Sequence, residues 1–260
     1  MTFALLTDTT LPHRLKLDSV TLCAVSSSNV EATVRALEAS MAQIEFAEVV
    51  LFTHVEWEPE TDIRTIAIDE LTSSRGYSDF LLRRLADHIT TEHCLIVQWD
   101  GHVIDAARWR VEFLDYDYIG ASWPQFSDGR EVGNGGFSLR SRRLMEACRH
   151  PDFKAHHPED IAICRTNASL LEGMGLKFAP VALADAFSAE RASDPAMSFG
   201  YHGVFLMPRV LGAERFWELY KTLSERSTVW VDFGTLLRAV LRGSRACSYH
   251  KRRGSRQSRP

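Results

Sequence analysis

The chain has 260 residues, 45% of them hydrophobic and 25% charged, with a formal net charge of −4 at pH 7. That is enough apolar material for a substantial core in one large domain or two small ones, and the acidic balance argues against a nucleic-acid-binding surface. No apolar run approaches the roughly 20 residues that cross a bilayer, and the N-terminus lacks the basic-then-apolar layout of a secretory signal. A soluble, cytoplasmic protein is the expectation.

Residues 1–19 read as a polar arm, 20–241 as one domain, and 242–260 as a basic tail. The tail holds Arg242, Arg245, Lys251, Arg252, Arg253, Arg256 and Arg259 and no acid. A solvated, disordered end is the simpler reading of it. The alternative is a weak contact with anionic lipid head groups, placing the protein peripherally at the inner membrane face. The five cysteines, Cys23, Cys94, Cys148, Cys164 and Cys247, form no C-x-x-C pair and are odd in number, so reduced thiols are expected.

In chain order, Val20–Val25 is an unbroken apolar run that predicts a buried strand, and Ser26-Ser27-Ser28-Asn29 a polar turn rich in helix caps. Val30, Val34, Leu37, Met41 and Ile44 recur at spacings of three and four, the stripe of an amphipathic helix. Val49–Phe52 returns as a strand. This strand-helix-strand order with continuously apolar strands indicates a parallel βαβ unit covered by helices. Thr65–Ile68 predicts a short strand, Tyr77–Ile89 a helix, and Cys94–Gln98 a further buried strand. Beyond it come a strand at Tyr118–Ser122 and the glycine cluster Gly133-Asn134-Gly135-Gly136, where missing side chains permit unusual backbone angles and close approach. A helix is expected over 158–174, a short strand over 177–180, a loop over 198–203, and amphipathic helices over 213–224 and 231–241.

Trp99-Asp100-Gly101 follows a buried strand, which in open α/β sheets is the edge where ligands bind. A carboxylate there can hold Mg²⁺ or Mn²⁺ against a diphosphate, or simply cap a turn. Glu159-Asp160 opens a predicted helix, where acids are favourable in any case. Asp115 and Asp117 alternate with tyrosines, a period that places both on one strand face. Trp99, Trp109 and Trp123 offer ring faces for a sugar or base, or pack in the core. Cys148, His150, His156, His157 and Cys164 are zinc-ligand types, but their spacing matches no standard finger.

Five segments occur in a telling order: Gln98-Trp99-Asp100-Gly101, Asp115 to Ala121, Gly133 to Ser141, Glu159-Asp160 and Phe199 to Gly203. Together they resemble a domain-of-unknown-function family regarded as GT-A-like glycosyltransferases. The resemblance implies a single GT-A-like, Rossmann-like α/β domain with a mostly parallel central sheet flanked by helices. It also implies a hexosyltransferase-like enzyme of carbohydrate biosynthesis, moving a sugar from a nucleotide-diphosphate donor to a hydroxyl on a glycan, lipid-linked or small-molecule acceptor. Asp100 and His202 would be the metal ligands for Mn²⁺ or Mg²⁺, with Gln98 standing where such enzymes carry the first acid of Asp-x-Asp. Gly135, Gly136 and Phe137 would line the donor–acceptor junction, and Ser26, Ser27 and Trp99 would contact donor or acceptor. Asp160 would be the general base, with Glu159 in reserve. A non-catalytic nucleotide-sugar or glycan-binding module on the same fold is the alternative.

Overall fold

The computed structural model describes residues 14–57 and 61–238. The basic tail and most of the polar arm lie outside the described residues. The elements run β1 (Leu15–Val25), α1 (Val30–Met41), β2 (Ile44–Thr53), β3 (Arg64–Ala67), α2 (Ser74–Arg83), β4 (His93–Val97), β5 (Gly101–Val103), β6 (Tyr118–Ile119), β7 (Phe137–Ser141) and α3 (Arg142–Ala147). They continue with α4 (Glu159–Ile161), α5 (Ala168–Gly173), α6 (Val181–Phe187), β8 (Ser188–Ala189), β9 (Gly200–His202), α7 (Met207–Val210), α8 (Ala213–Thr222) and α9 (Ser227–Val231).

A six-stranded sheet has the order β3-β2-β1-β4-β7-β6. Its first four strands are mutually parallel, and β7 runs antiparallel to both of its neighbours. The expected α/β class, a mostly parallel central sheet flanked by helices, is therefore what the chain adopts. Alternation along β1 shows why the apolar run is continuous. Leu22 and Ala24 join Val34 and Leu37 of α1 in one buried cluster, while Cys23 and Val25 join Phe80 and Leu81 of α2 in another. With a helix layer on each face, neither set of side chains can be polar. A small second sheet, β5-β9-β8, lies beyond the carboxyl end of β4.

Several boundaries differ from the sequence reading. β1 begins at Leu15, inside the segment assigned to the arm, because it pairs with Ile44–Phe46 at the start of β2. Ile44 fits the helical stripe, yet it opens β2 and is 1% exposed; an apolar residue just past a helix end serves either period. The single helix expected over 158–174 is α4, one wide π-turn over Ala162–Thr166, and α5. Asn167 marks the break: its side-chain amide donates to the carbonyls of Ala162 and Lys154, and its Oδ1 accepts from Lys154 N. Residues 177–180 contribute only an isolated bridge from Phe178 to Tyr118, and the strand expected from Tyr118 to Ser122 shortens to β6 plus a bridge from Ser122 to Val132. The expected loop over 198–203 contains β9. Past α9, residues 233–238 are helical.

Asp115 and Asp117 do not share a strand face. Asp115 ends a 3₁₀ turn and is exposed, whereas Asp117 is buried and accepts from Ser141 Oγ at 2.5 Å and Lys177 N at 2.8 Å. Its role is to tie β6 to β7.

Asn29 clamps the C-terminal helices onto the sheet. It sits in the left-handed region (φ 54°) and is buried, donating through Nδ2 to Glu225 O and accepting through Oδ1 from Glu225 N, both at 2.9 Å. Asn29→Ala removes both bonds and strands the Glu225 backbone. We expect it to lower the unfolding free energy by about 1–3 kcal/mol in urea titrations.

Candidate functional site

The site is built where β4 ends. Asp100 follows β4, and Gly101 opens β5, whose antiparallel pairing places Gly101 directly opposite His202 of β9. A side chain at 101 would sit 2.6 Å from the Tyr201 carbonyl, so glycine is needed for the two strands to close. The result is Asp100 Oδ1 lying 3.4 Å from His202 Nε2. Gln98 completes the group: its Nε2 donates to the Tyr77 hydroxyl at 3.0 Å, which turns its Oε1 to within 3.2 Å of the same His202 nitrogen.

On the far side of the ring, His202 Nδ1 lies 3.5 Å from Glu190 Oε1. Glu190 Oε2 accepts from Asn134 Nδ2, and Asn134 Oδ1 accepts from Gly136 N at 3.1 Å. Gly136 packs flat on the His202 ring, so closely that any Cβ there would overlap it. The three charged side chains are nearly sealed, at 8% exposure for Asp100, 16% for His202 and 11% for Glu190. Burial by itself would discharge the imidazole. The flanking carboxylates, Asp100 first and then Glu190, outweigh it and raise His202 to about 10. With no cation bound, the two carboxylates therefore favour the imidazolium form of the ring.

The other side of the glycine loop faces a second buried charge pair. Arg140, 1% exposed, donates from NH2 to Glu159 Oε1 at 3.1 Å and from Nε to Ser138 Oγ at 3.1 Å, and its guanidinium lies over the Tyr118 ring. Ser78 Oγ donates to Glu159 Oε2 at 3.2 Å, so both Glu159 oxygens are engaged. A Cβ on Gly135 would overlap Glu159 and come within 2.8 Å of Arg140. Asp160 accepts from Gly135 N at 3.2 Å and from Ile161 N at 2.8 Å. Burial, and then the neighbouring Glu159 charge, push its carboxyl above the usual range.

The expected site residues thus fall into separate groups. Asp100, His202 and Gly136 meet. Gly135, Glu159 and Asp160 meet behind the loop. Ser26 and Ser27 follow β1, on the same carboxyl edge as Asp100, where Ser27 Oγ accepts from Leu71 N at 2.8 Å. Trp99 turns away to line a cavity of about 340 Å³ with His102, Arg35 and Arg215. Phe137 is a correction: it is fully buried against Phe187 and Phe199 beneath Gly200, so its ring reaches no ligand. Trp109 stacks edge-on with Phe113 and Phe199, and Trp123 backs Gly133. The zinc constellation does not assemble. Cys148 and Cys164 are buried thiols, His156 pairs with Thr166, and His157 with Ser78. Among the described residues no three His, Cys, Asp or Glu side chains gather to hold a metal ion. Two cavities of about 630 and 460 Å³ are lined by neither Asp100 nor His202.

Glu190, Asn134 and Tyr77 escape sequence reasoning. Asn134 at least lies inside the glycine string; Glu190 has no local motif, since its importance comes only from standing opposite His202.

The pattern of a family described as a protein of unknown function, DUF5672, matches residues 60–202, more than half of the chain. The chain belongs to the DUF5672 family. The matched stretch contains Gln98, Asp100, the glycine loop, Glu159, Asp160, Glu190 and His202. No curated protein sequence matches this DUF5672 chain. Among solved structures it is similar to the galactosyltransferase LgtC in complex with donor and acceptor sugar analogues, at 15% identity and TM-score 0.42, covering 79% of this chain and 96% of that one. It is similar to a glycosyltransferase involved in glycosylation of the PBCV-1 major capsid, at 12% identity and TM-score 0.44, covering 78% and 98%. It is also similar to the mannosyltransferase PcManGT of Pyrobaculum calidifontis in complex with GDP-Man and Mn²⁺, at 11% identity and TM-score 0.43, covering 96% and 77%. Likeness at this level says nothing of the chemistry at Asp100.

The Arg140–Glu159 pair carries its own prediction. Glu159→Ala leaves a guanidinium buried and uncompensated, so equilibrium urea unfolding is expected to show a loss of about 3–5 kcal/mol. Asp160→Asn keeps an oxygen for the Gly135 amide and should unfold near the wild-type midpoint.

Proposed function

We propose that this DUF5672 protein transfers a sugar from a nucleotide-diphosphate donor to a hydroxyl acceptor, with the Asp100–His202 centre holding the diphosphate end of the donor. The observation that carries this reading is the convergence of Gln98 Oε1 and Asp100 Oδ1 on His202 Nε2, at 3.2 and 3.4 Å, just past the carboxyl end of a central parallel strand. That edge is where open α/β sheets bind their ligands.

The donor set fits a divalent cation. Donors held about 2.1 Å from one ion in neighbouring positions sit roughly 3 Å apart, close to the spacing found here. Asp100 Oδ1 is moreover a buried oxygen with no hydrogen-bond partner. Carboxylate and amide oxygens with one imidazole nitrogen, the cation displacing the proton from Nε2, suit Mn²⁺ or Mg²⁺, and Gln98 supplies an oxygen where an Asp-x-Asp segment would have its first acid. When bound, such a cation stabilises negative charge developing on the leaving diphosphate.

The chain's own residues do the rest. Glu190, carried by Asn134, orients the His202 ring through Nδ1 so that Nε2 faces Asp100, the outer-shell role that tunes a histidine ligand. Gly136 lets the loop backbone lie on that ring. Ser26 and Ser27, at the end of β1 on the same edge, would meet the nucleoside, whereas Trp99 lines a separate cavity. Asp160, with its raised carboxyl, is suited to take the acceptor's proton; Glu159 is committed to Arg140 and positions the loop instead.

Calorimetric titration with Mn²⁺ and a nucleotide sugar tests this. Wild-type protein should bind Mn²⁺ and hydrolyse or transfer the sugar. Asp100→Ala should lose Mn²⁺ binding, and Glu190→Gln should weaken it about 10–100-fold without a change in melting temperature. Asp160→Asn should keep donor affinity while turnover falls by about 10²–10⁴-fold. No Mn²⁺ or donor binding by the wild type sinks the proposal.

One observation favours a second reading, a nucleotide-sugar or glycan-binding module without turnover. The His202 imidazolium already neutralises Asp100, and the centre is nearly sealed. Donor binding with no product across an acceptor panel would select it.

A further inference from the structure

The cavity beside Trp99 lies between α1, α7, α8 and β5 and is lined by neither Asp100 nor His202. Its volume is about 340 Å³, at the small end of the roughly 300–1,000 Å³ of ligand pockets. Space exists there because α1 contributes only the small side chains of Ala36 and Ala39. Trp99 and Asp100 are consecutive, yet only the tryptophan lines this cavity. It is half-buried, resting on the cluster that includes Met207 and Leu219, two further lining residues. The cavity thus has an apolar side with an aromatic ring in it.

Its polar groups are a charge-balanced set of donors and acceptors. Arg35 is paired with Glu31 at 2.6 Å, so its charge is met while its other N–H groups stay available. Arg215 and Glu218 stand one turn apart on α8, both exposed, and neither makes a hydrogen bond or ion pair with any described residue. His102 Nδ1 donates to Val103 O at 2.7 Å. That leaves Nε2 as the bare acceptor of the ring, and this nitrogen is buried with no hydrogen-bond partner. Burial holds His102 below the usual histidine range, so the ring stays neutral and keeps that lone pair. An apolar ligand would strand these groups. A phosphate or carboxylate would meet Glu218, and an ammonium would meet two guanidiniums. A pyranose satisfies the whole set. Its C–H face lies on an aromatic ring, and its hydroxyls donate to Glu218 and His102 while accepting from Arg35 and Arg215.

We infer that the cavity lined by Trp99, His102, Arg35, Arg215 and Glu218 binds a neutral sugar, at a site separate from the Asp100 centre. This holds whether or not that centre transfers sugar.

The test is calorimetric and saturation-transfer NMR titration of the full chain, with no metal or nucleotide present. The probes are the methyl glycosides of glucose, galactose, mannose and N-acetylglucosamine, the disaccharides lactose and cellobiose, and methyl glucuronide as the anionic counterpart. At least one neutral sugar should bind, and more tightly than the glucuronide. Arg215→Ala and Glu218→Ala, both at exposed positions, should each weaken that binding about 3–10-fold while the melting temperature stays unchanged. Trp99→Ala should weaken it about tenfold, and Trp99→Phe, which keeps a ring face, should restore most of the loss. Asp100→Ala should bind the sugar as the wild type does even as it loses Mn²⁺, which separates this site from the centre. Four results would overturn the inference: no binding of any neutral sugar, glucuronide binding as tight as theirs, unchanged binding by both Arg215→Ala and Glu218→Ala, or loss of sugar binding by Asp100→Ala at an unchanged melting temperature.

Discussion

Gly133 to Gly136 pass between two sets of buried charge, and the space between them is one backbone thick. On one side the loop touches the Arg140–Glu159 pair; on the other it lies on the His202 ring, with Trp123 backing its start. A side chain at Gly133, Gly135 or Gly136 would displace an ion pair or an aromatic ring. The position of the centre at the end of β4 therefore depends on a close approach that glycine alone permits.

The two charge sets are satisfied differently, and this separates structure from chemistry. Glu159 has a cation and a hydroxyl on its oxygens, and Arg140 has Glu159, Ser138 and the face of Tyr118. Neither Glu159 nor Arg140 is left without a partner. In the other set an oxygen of Asp100 and Nδ1 of His202 are buried without a well-formed hydrogen bond. In a low-dielectric interior such groups are costly unless something else pairs with them. The incompletely paired set lies at the carboxyl edge of the parallel strands, where a ligand can complete it.

How far this was legible from the sequence depends on whether a signal was local. The buried strands at Val20–Val25, Val49–Phe52 and Cys94–Gln98 and the helix from Val30 were readable, because burial on both faces leaves a continuous apolar run or a clear stripe. Asp100 could be singled out because it follows a buried strand, whereas His202 was reached only through the family resemblance. Phe137 was misplaced: a glycine-glycine-aromatic string looks the same whether the ring faces a ligand or, as here, Phe187 and Phe199. The break at Asn167 was missed because its bonds run to Lys154 and Ala162, which helical periodicity does not see.

The sequence by itself determined the α/β class, the parallel βαβ opening and the chemical types available for a site, since these depend on hydrophobic period and residue identity along neighbouring positions. Only the tertiary structure decided the pairings: Glu190 behind His202, Gln98 turned by Tyr77, Glu159 consumed by Arg140, and Trp99 sharing a cavity with Arg35 and Arg215. Each joins residues brought together by sheet order and helix docking, and the energies of buried charge act over distances in space, whatever the separation along the chain.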